Sequence, residues 1–324
     1  GNIRPKTAFD LRREHNLPLP ADSPEAFRPY MVVSGPQPGI LAFFEKFNWA
    51  VGSLAGYDAC YRVAYENVED ARREGIDYLE LRFSPRFMAL PAGLDPAGVT
   101  EAVVGGVADG SRATGLPVNL IGIISRTYGP EACREELDAL LTQRDRIVAL
   151  DIAGDEIHYP ASWFVGHFKR ARDAGWHITV HAGEAAGPES VWQALQLLGA
   201  ERIGHGVHAA GDPALMAHLA ERRIPLEMSL TSNIQTSTFP DYGSHPVRIF
   251  VEAGVTVTLN SDDPGTSGID LRHEYEVAAP AAGLTPEQIR RLQANALQAA
   301  FLSPAARNAL LETKRQADKG EGSQ

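Results

Sequence analysis

Short apolar, β-branched runs alternate with amphipathic helical stretches through most of the chain, and this alternation constrains the fold more than any other feature. Runs at 78–83, 118–124, 147–152, 176–180, 202–203, 225–228 and 255–259 read as strands. Helical stretches at 61–74, 96–113, 131–142, 162–174, 188–198, 213–223 and 245–253 precede or separate them. Gly75, Gly175 and Gly199 stop three of these helices, Ser162 reads as an N-cap, and Pro188 sits in a first turn. Thr285 and Gln288 form a capping-box pattern before a last long helix. Repeated βα units imply a parallel sheet. Eight such units close a TIM barrel, whereas seven leave an open seam. The expected fold is therefore an α/β TIM (β/α)8 barrel with extra helices, with seven of eight barrel strands in this chain. The seam is expected between the strands at 78–83 and 255–259, unless another segment fills it.

No linker, repeat or low-complexity tract divides the 324 residues, so one domain is expected. Residues 1–60 read as a helical part with proline-rich joints, 61–270 as barrel units, 271–314 as C-terminal helices, and 315–324 as a frayed polar tail. The formal net charge of −11 disfavours a nucleic-acid partner. No run of about 18 apolar residues is present to span a membrane. Cys60 and Cys133 are too few for a disulfide framework, which points to a reducing compartment such as the cytoplasm.

Three words place reactive side chains at strand carboxyl ends, where barrel active sites gather: His181-Ala182-Gly183-Glu184, Gly204-His205-Gly206 and Asn260-Ser261-Asp262-Asp263-Pro264. His181 is a candidate metal ligand, since a neutral imidazole can aim one nitrogen at zinc. Glu184 can reach back over the same cleft, and a carboxyl group shielded from water donates a proton near neutrality. It reads equally as a helix-start carboxylate before Pro188. His205, between glycines, can approach a second group closely and orient or deprotonate a water, while His208 reads as a surface residue. Asp262 and Asp263 point different ways in an extended segment, so one can bind metal and the other face a substrate. The plainer alternative is an Asx-turn before Pro264. Gly154 can offer its backbone N–H to a ligand or simply make a turn. Thr231-Ser232-Asn233 reads as a supporting cluster.

Taken together, these words resemble the bacterial adenosine deaminase family: HAGEAAGPES from His181, ERIGHGV from Glu201, LTSNIQT from Leu230, NSDDPG from Asn260, LRFSP from Leu81 and HEYEVAAPAAGL from His273. The resemblance runs along essentially the whole chain. It implies one catalytic Zn2+ per subunit, and hydrolysis of adenosine, with 2′-deoxyadenosine expected as well, to inosine and ammonia in purine salvage. It implies that His181 and Asp262 are zinc ligands, that Glu184 protonates the purine N1, and that His205 orients and helps deprotonate the zinc-bound water. Asp263 would hydrogen-bond N7, and the Gly154 N–H would donate to N3. The implied partner is a small purine nucleoside.

The chain departs from the family's pattern in one place. The family has an amino-terminal strand ending in a His-x-His pair of zinc ligands, followed by Gly-x-Ile-x-Pro. Here that last word, Gly1-Asn2-Ile3-Arg4-Pro5, is the beginning. The expectation is a truncated chain that holds zinc weakly. Two other readings compete. One is a related deaminase acting on adenine, an adenine nucleotide or another ring amine; a nucleotide enzyme would want a basic phosphate site, for which Arg82 and Arg126 are isolated candidates. A non-catalytic purine-binding form would account for the two missing ligands. A dinuclear centre is disfavoured because the strand at 147–152 carries no bridging lysine, and a cytidine-deaminase site because no PCxxC word occurs.

Overall fold

A computed structural model describes residues 2–37 and 40–321, with side chains outside 40–44 and 317–321. Gly1, which opens the Gly-x-Ile-x-Pro word, lies outside the described residues. Seven strands form one curved parallel sheet, a half-barrel: β1 (Leu79–Phe83), β2 (Val118–Ser125), β3 (Ile147–Ala153), β4 (His177–Ala182), β5 (Arg202–His205), β6 (Leu226–Met228) and β7 (Val257–Leu259). Each pairs with its neighbours in chain order, as right-handed βα crossovers require. Among the described residues, neither β1 nor β7 pairs with a further strand, so the seam lies where the βα count puts it. The strands are apolar because helices cover the outside of the sheet. Leu150, Ile152, Ile178, Val180, Ile203, Leu226 and Val257 are all completely buried.

Helix Pro286–Ala299 starts at the expected capping box, with Thr285 and Gln288 bonding each other's backbone. It carries Ala299 and Phe301 to the amino end of the sheet. There Phe301 stacks on His177 (centroids 4.5 Å apart) and lies 3.6 Å from the Arg202 guanidinium carbon. The Phe301 N–H donates to Glu80 (2.6 Å) and Arg202 donates to the Ala299 carbonyl (2.8 Å). At the start of the chain, Arg4 clamps helix Tyr57–Arg73 through Asp70 (2.8 Å) and Glu69 (3.0 Å).

Several local expectations shift. Ser162 does not cap an α-helix: a 3-10 turn occupies Ala161–Phe164, and the helix proper is Val165–Asp173. The stretch after Pro188 is α-helical only to Gln193 and widens to a π-turn over Ala194–Leu198. His205 closes β5 rather than following it. The last helix, Pro304–Glu321, continues past residue 314, where the polar sequence reads as frayed; 322–324 lie outside the described residues.

Candidate active site

The register between β4 and β5 sets His181 opposite Gly204 and Ala182 opposite His205, so the two imidazoles stand side by side with ring centroids 5.2 Å apart. Gly204 leaves room for this, because a Cβ at that position would lie 3.3 Å from the His181 ring and the ring would have to give way by a few tenths of an ångström. His205 holds a left-handed backbone (φ 60°), and so does Asp262 (φ 56°). Such conformations are uncommon outside glycine, although His and Asp tolerate them better than most residues. They correct the expectation of an extended segment at Asp262-Asp263, since the chain turns sharply at Asp262 and a short helix, Pro264–Ser267, begins directly after Asp263.

That turn aims Asp262 into the cleft. Its Oδ2 accepts from Ser232 Oγ (2.7 Å) and lies 3.9 Å from His205 Nε2. Glu184 Oε2 is 3.6 Å from the same nitrogen. Donor atoms of His181, His205 and Asp262 all lie within 4.8 Å of one another, an arrangement compatible with a metal site. The donor chemistry fits, because imidazole and carboxylate are zinc ligand types. His181 is also anchored as a ligand should be. Its Nδ1 sits 2.8 Å from Asp151 Oδ2, which leaves Nε2 to coordinate.

Burial raises the Glu184 pKa, and neighbouring His205 only partly offsets this. Burial and the Asp262 charge push Asp263 up to about 6. Burial works against the charge on Asp262 as well, but His205 and His181 outweigh it and hold its pKa low. Burial would lower the His181 pKa, yet Asp151 lifts it to about 9. Two adjacent aspartates therefore differ in character, one held ionised and the other close to keeping its proton. Gly154 (φ 111°) follows the end of β3, on the strand next to that of His181.

Behind this first layer stand three buried carboxylates that sequence reasoning did not single out for this role. Glu156 gathers the backbone N–H groups of Gly183 (2.9 Å), Glu184 (2.8 Å), Ala185 and Ala186 (2.7 Å) together with Ser190 Oγ (2.7 Å). It thereby fixes the loop that carries Glu184. Glu274 accepts from Leu230 and Thr231 N–H (both 3.1 Å) and so caps the helix Leu230–Gln235 that carries Ser232 and Asn233. Glu136 accepts from Ser84 Oγ (2.6 Å), Arg86 N–H (3.0 Å) and Ser125 N–H (2.7 Å), tying β1 to β2 at the rim. Each lies among other charged residues (Asp155 beside Glu156, Arg272 and Glu276 around Glu274, Arg134, Glu135 and Asp138 around Glu136), so the local sequence does not single it out.

Other residues depart from their expected places. His208 is half-buried, with Nδ1 3.2 Å from the Gly183 carbonyl. Arg82 pairs with Asp151 (2.7 Å) and Glu227. Arg126 is 1 % exposed and donates to the His181 carbonyl (2.7 Å). Both candidate phosphate-binding cations are therefore already engaged by the protein.

Residues 1–316 match the family model described as adenosine deaminase. The adenosine deaminase of Edwardsiella ictaluri is 58% identical over 97% of this chain and 95% of its own length. That of Escherichia coli O1:K1 is 57% identical over 96% and 94%. Among solved structures, the adenine deaminase of Arthrobacter aurescens superposes with a TM-score of 0.88 at 23% identity, covering 98% of this chain and 96% of that one, and so shares the fold. The N6-methyl-AMP deaminase of Arabidopsis thaliana superposes with a TM-score of 0.83 at 26% identity over 99% and 94%.

Proposed function

The chain belongs to the adenosine deaminase family and hydrolyses adenosine to inosine and ammonia, and we propose that His181, Glu184, His205, Asp262, Asp263 and Gly154 carry that reaction. In this reading His181 and Asp262 are two of the protein ligands of one zinc ion. When bound, it supplies Lewis acidity that lets a water lose its proton near neutral pH.

The remaining steps belong to the chain's own groups. Glu184 gives a proton to the purine N1, which removes the negative charge that addition of oxygen at C6 would otherwise leave on the ring. Its raised pKa suits that task, because a carboxyl group that keeps its proton longer is a better acid near neutrality. His205, between Glu184 and Asp262, orients the incoming water. Asp263 donates to N7, which only accepts, and its tendency to keep a proton supports that role. The Gly154 N–H donates to N3. The amino group leaves as ammonia when the tetrahedral carbon collapses.

The carrying observation is the convergence of Glu184, His205 and Asp262 on one cleft beside His181. The engagement of Arg82 and Arg126 by protein groups favours a nucleoside over a nucleotide. Cys60 and Cys133 are free and buried, which suits a reducing compartment such as the cytoplasm. The test is ammonia release from adenosine and from AMP with zinc supplied. Release from adenosine at least about 100-fold faster, the factor a site can impose when a charged group meets no partner, is the expected result. Equal rates would contradict the nucleoside reading.

A further inference from the structure

The polarity of His205 is set by a row of buried groups behind it. Its Nε2 faces Glu184 and Asp262 in the cleft. Its Nδ1 faces away, 3.2 Å from the side-chain nitrogen of Asn233. Asn233 is completely buried, and its Oδ1 lies 3.1 Å from Nε2 of His245. His245, also buried, ends the row, with its Nδ1 3.2 Å from the backbone N–H of Val247.

The direction of every bond in this row follows from its last member. A backbone N–H only donates, so His245 Nδ1 accepts and carries no proton. The neutral ring then holds its proton on Nε2 and donates it to Asn233 Oδ1. That fixes which way the amide points, and its NH2 donates to His205 Nδ1. His205 Nδ1 is therefore the acceptor, and the ring turns an N–H toward the cleft at Nε2. The opposite polarity would set a ring N–H against the Val247 N–H in a place where no water reaches, and an unmet buried donor costs about 1–3 kcal/mol.

We propose that Asn233 and His245 are positioning residues that hold His205 as its neutral Nε2–H tautomer, so that His205 meets the substrate and its water as a hydrogen-bond donor and not as a base. The proposal rests on the placing of His205 in the active site above.

Asn233→Asp tests this with almost no change of shape. A carboxylate accepts on both oxygens, so it takes the His245 proton and also demands one on His205 Nδ1. The measurement is 15N NMR of histidine-labelled protein without added metal, in which ring nitrogens with and without a proton have well-separated shifts. The expected wild-type spectrum shows His205 protonated on Nε2 alone, and the Asn233→Asp spectrum shows the proton on Nδ1. With zinc supplied, Asn233→Asp should lose about 100-fold or more in kcat, the scale of a misplaced proton-bearing group, with KM for adenosine little changed. A wild-type His205 protonated on Nδ1 overturns the proposal without recourse to any variant. So does an Asn233→Asp enzyme with unchanged kcat. Because the spectrum needs neither metal nor turnover, it stands apart from the assignment of adenosine as substrate.

Discussion

The two ends of the sheet use the same residue types in opposite ways. From the amino end upward, Glu80, Arg202, Glu227 and Arg82 form a continuous row that reaches Asp151, the partner of His181. Arg202 bridges Glu80 and Glu227 (both 2.7 Å), and Arg82 joins Glu227 to Asp151. Each charge there meets an opposite charge, and Phe301 covers the row from below. At the carboxyl end, Glu184, Asp262 and His205 converge at 3.6–3.9 Å, too far for short mutual hydrogen bonds, with the carboxylates partly open to solvent. The consequence shows in their acidity. Glu227, in the row, is held ionised by Arg82 and Arg202 against the cost of burial, whereas burial prevails at Glu184 and keeps its proton on longer. A buried charge with its partner supplied is structural, and one whose partner is absent from the protein is available for chemistry.

The contrast yields an ordered set of outcomes. The largest effect is expected within the rim itself. Asp262→Ala removes a charged ligand, and zinc affinity should fall by more than the roughly 10–100-fold typical of losing an outer-shell partner, with turnover falling alongside it. Asp263→Ala should leave the metal in place and lower kcat/KM for adenosine by about 10–100-fold, the worth of one hydrogen bond to a purine nitrogen. Metal analysis of both variants decides this, and equal metal loss would show that the two aspartates share one role. At the floor the effect should be on folding. Arg202→Met leaves Glu80 and Glu227 without their shared partner and should cost about 3–5 kcal/mol of stability, the scale of breaking a buried pair. Denaturant titration measures that loss, and kcat below the melting range should stay within a few-fold of wild type. A large fall in kcat with little loss of stability would erase the distinction between the two ends.

The order of strands and helices was legible because each βα unit is local: an apolar run, a glycine stop and a capped helix lie within about thirty residues. The words containing His181, Glu184, His205 and Asp262 were legible for the same reason. What escaped is long-range. Glu156 grips a loop that begins 27 residues later, and Glu274 caps a helix 44 residues earlier. Arg82 reads as an isolated cation until the sheet curves round and brings Glu227 to it from 145 residues away. Asn233 reads as a helper in a polar cluster, and nothing in its neighbourhood announces that His205 and His245 stand on either side of its amide. The left-handed backbone at His205 and Asp262 is likewise invisible in sequence, since neither residue type demands it.

The central claim is that the carboxyl-end charges are held ready for substrate rather than for the fold, and Glu184→Gln tests it most directly. The amide keeps the shape of the side chain and the loop that Glu156 holds, but it has no proton to give to N1. Ammonia release from adenosine, zinc content and melting temperature should be measured on the same preparation of variant and wild type. The account predicts turnover lower by about 100- to 10,000-fold, with zinc content and melting temperature unchanged. Near-normal turnover, or a loss that travels with lost zinc or a lowered melting temperature, would contradict it.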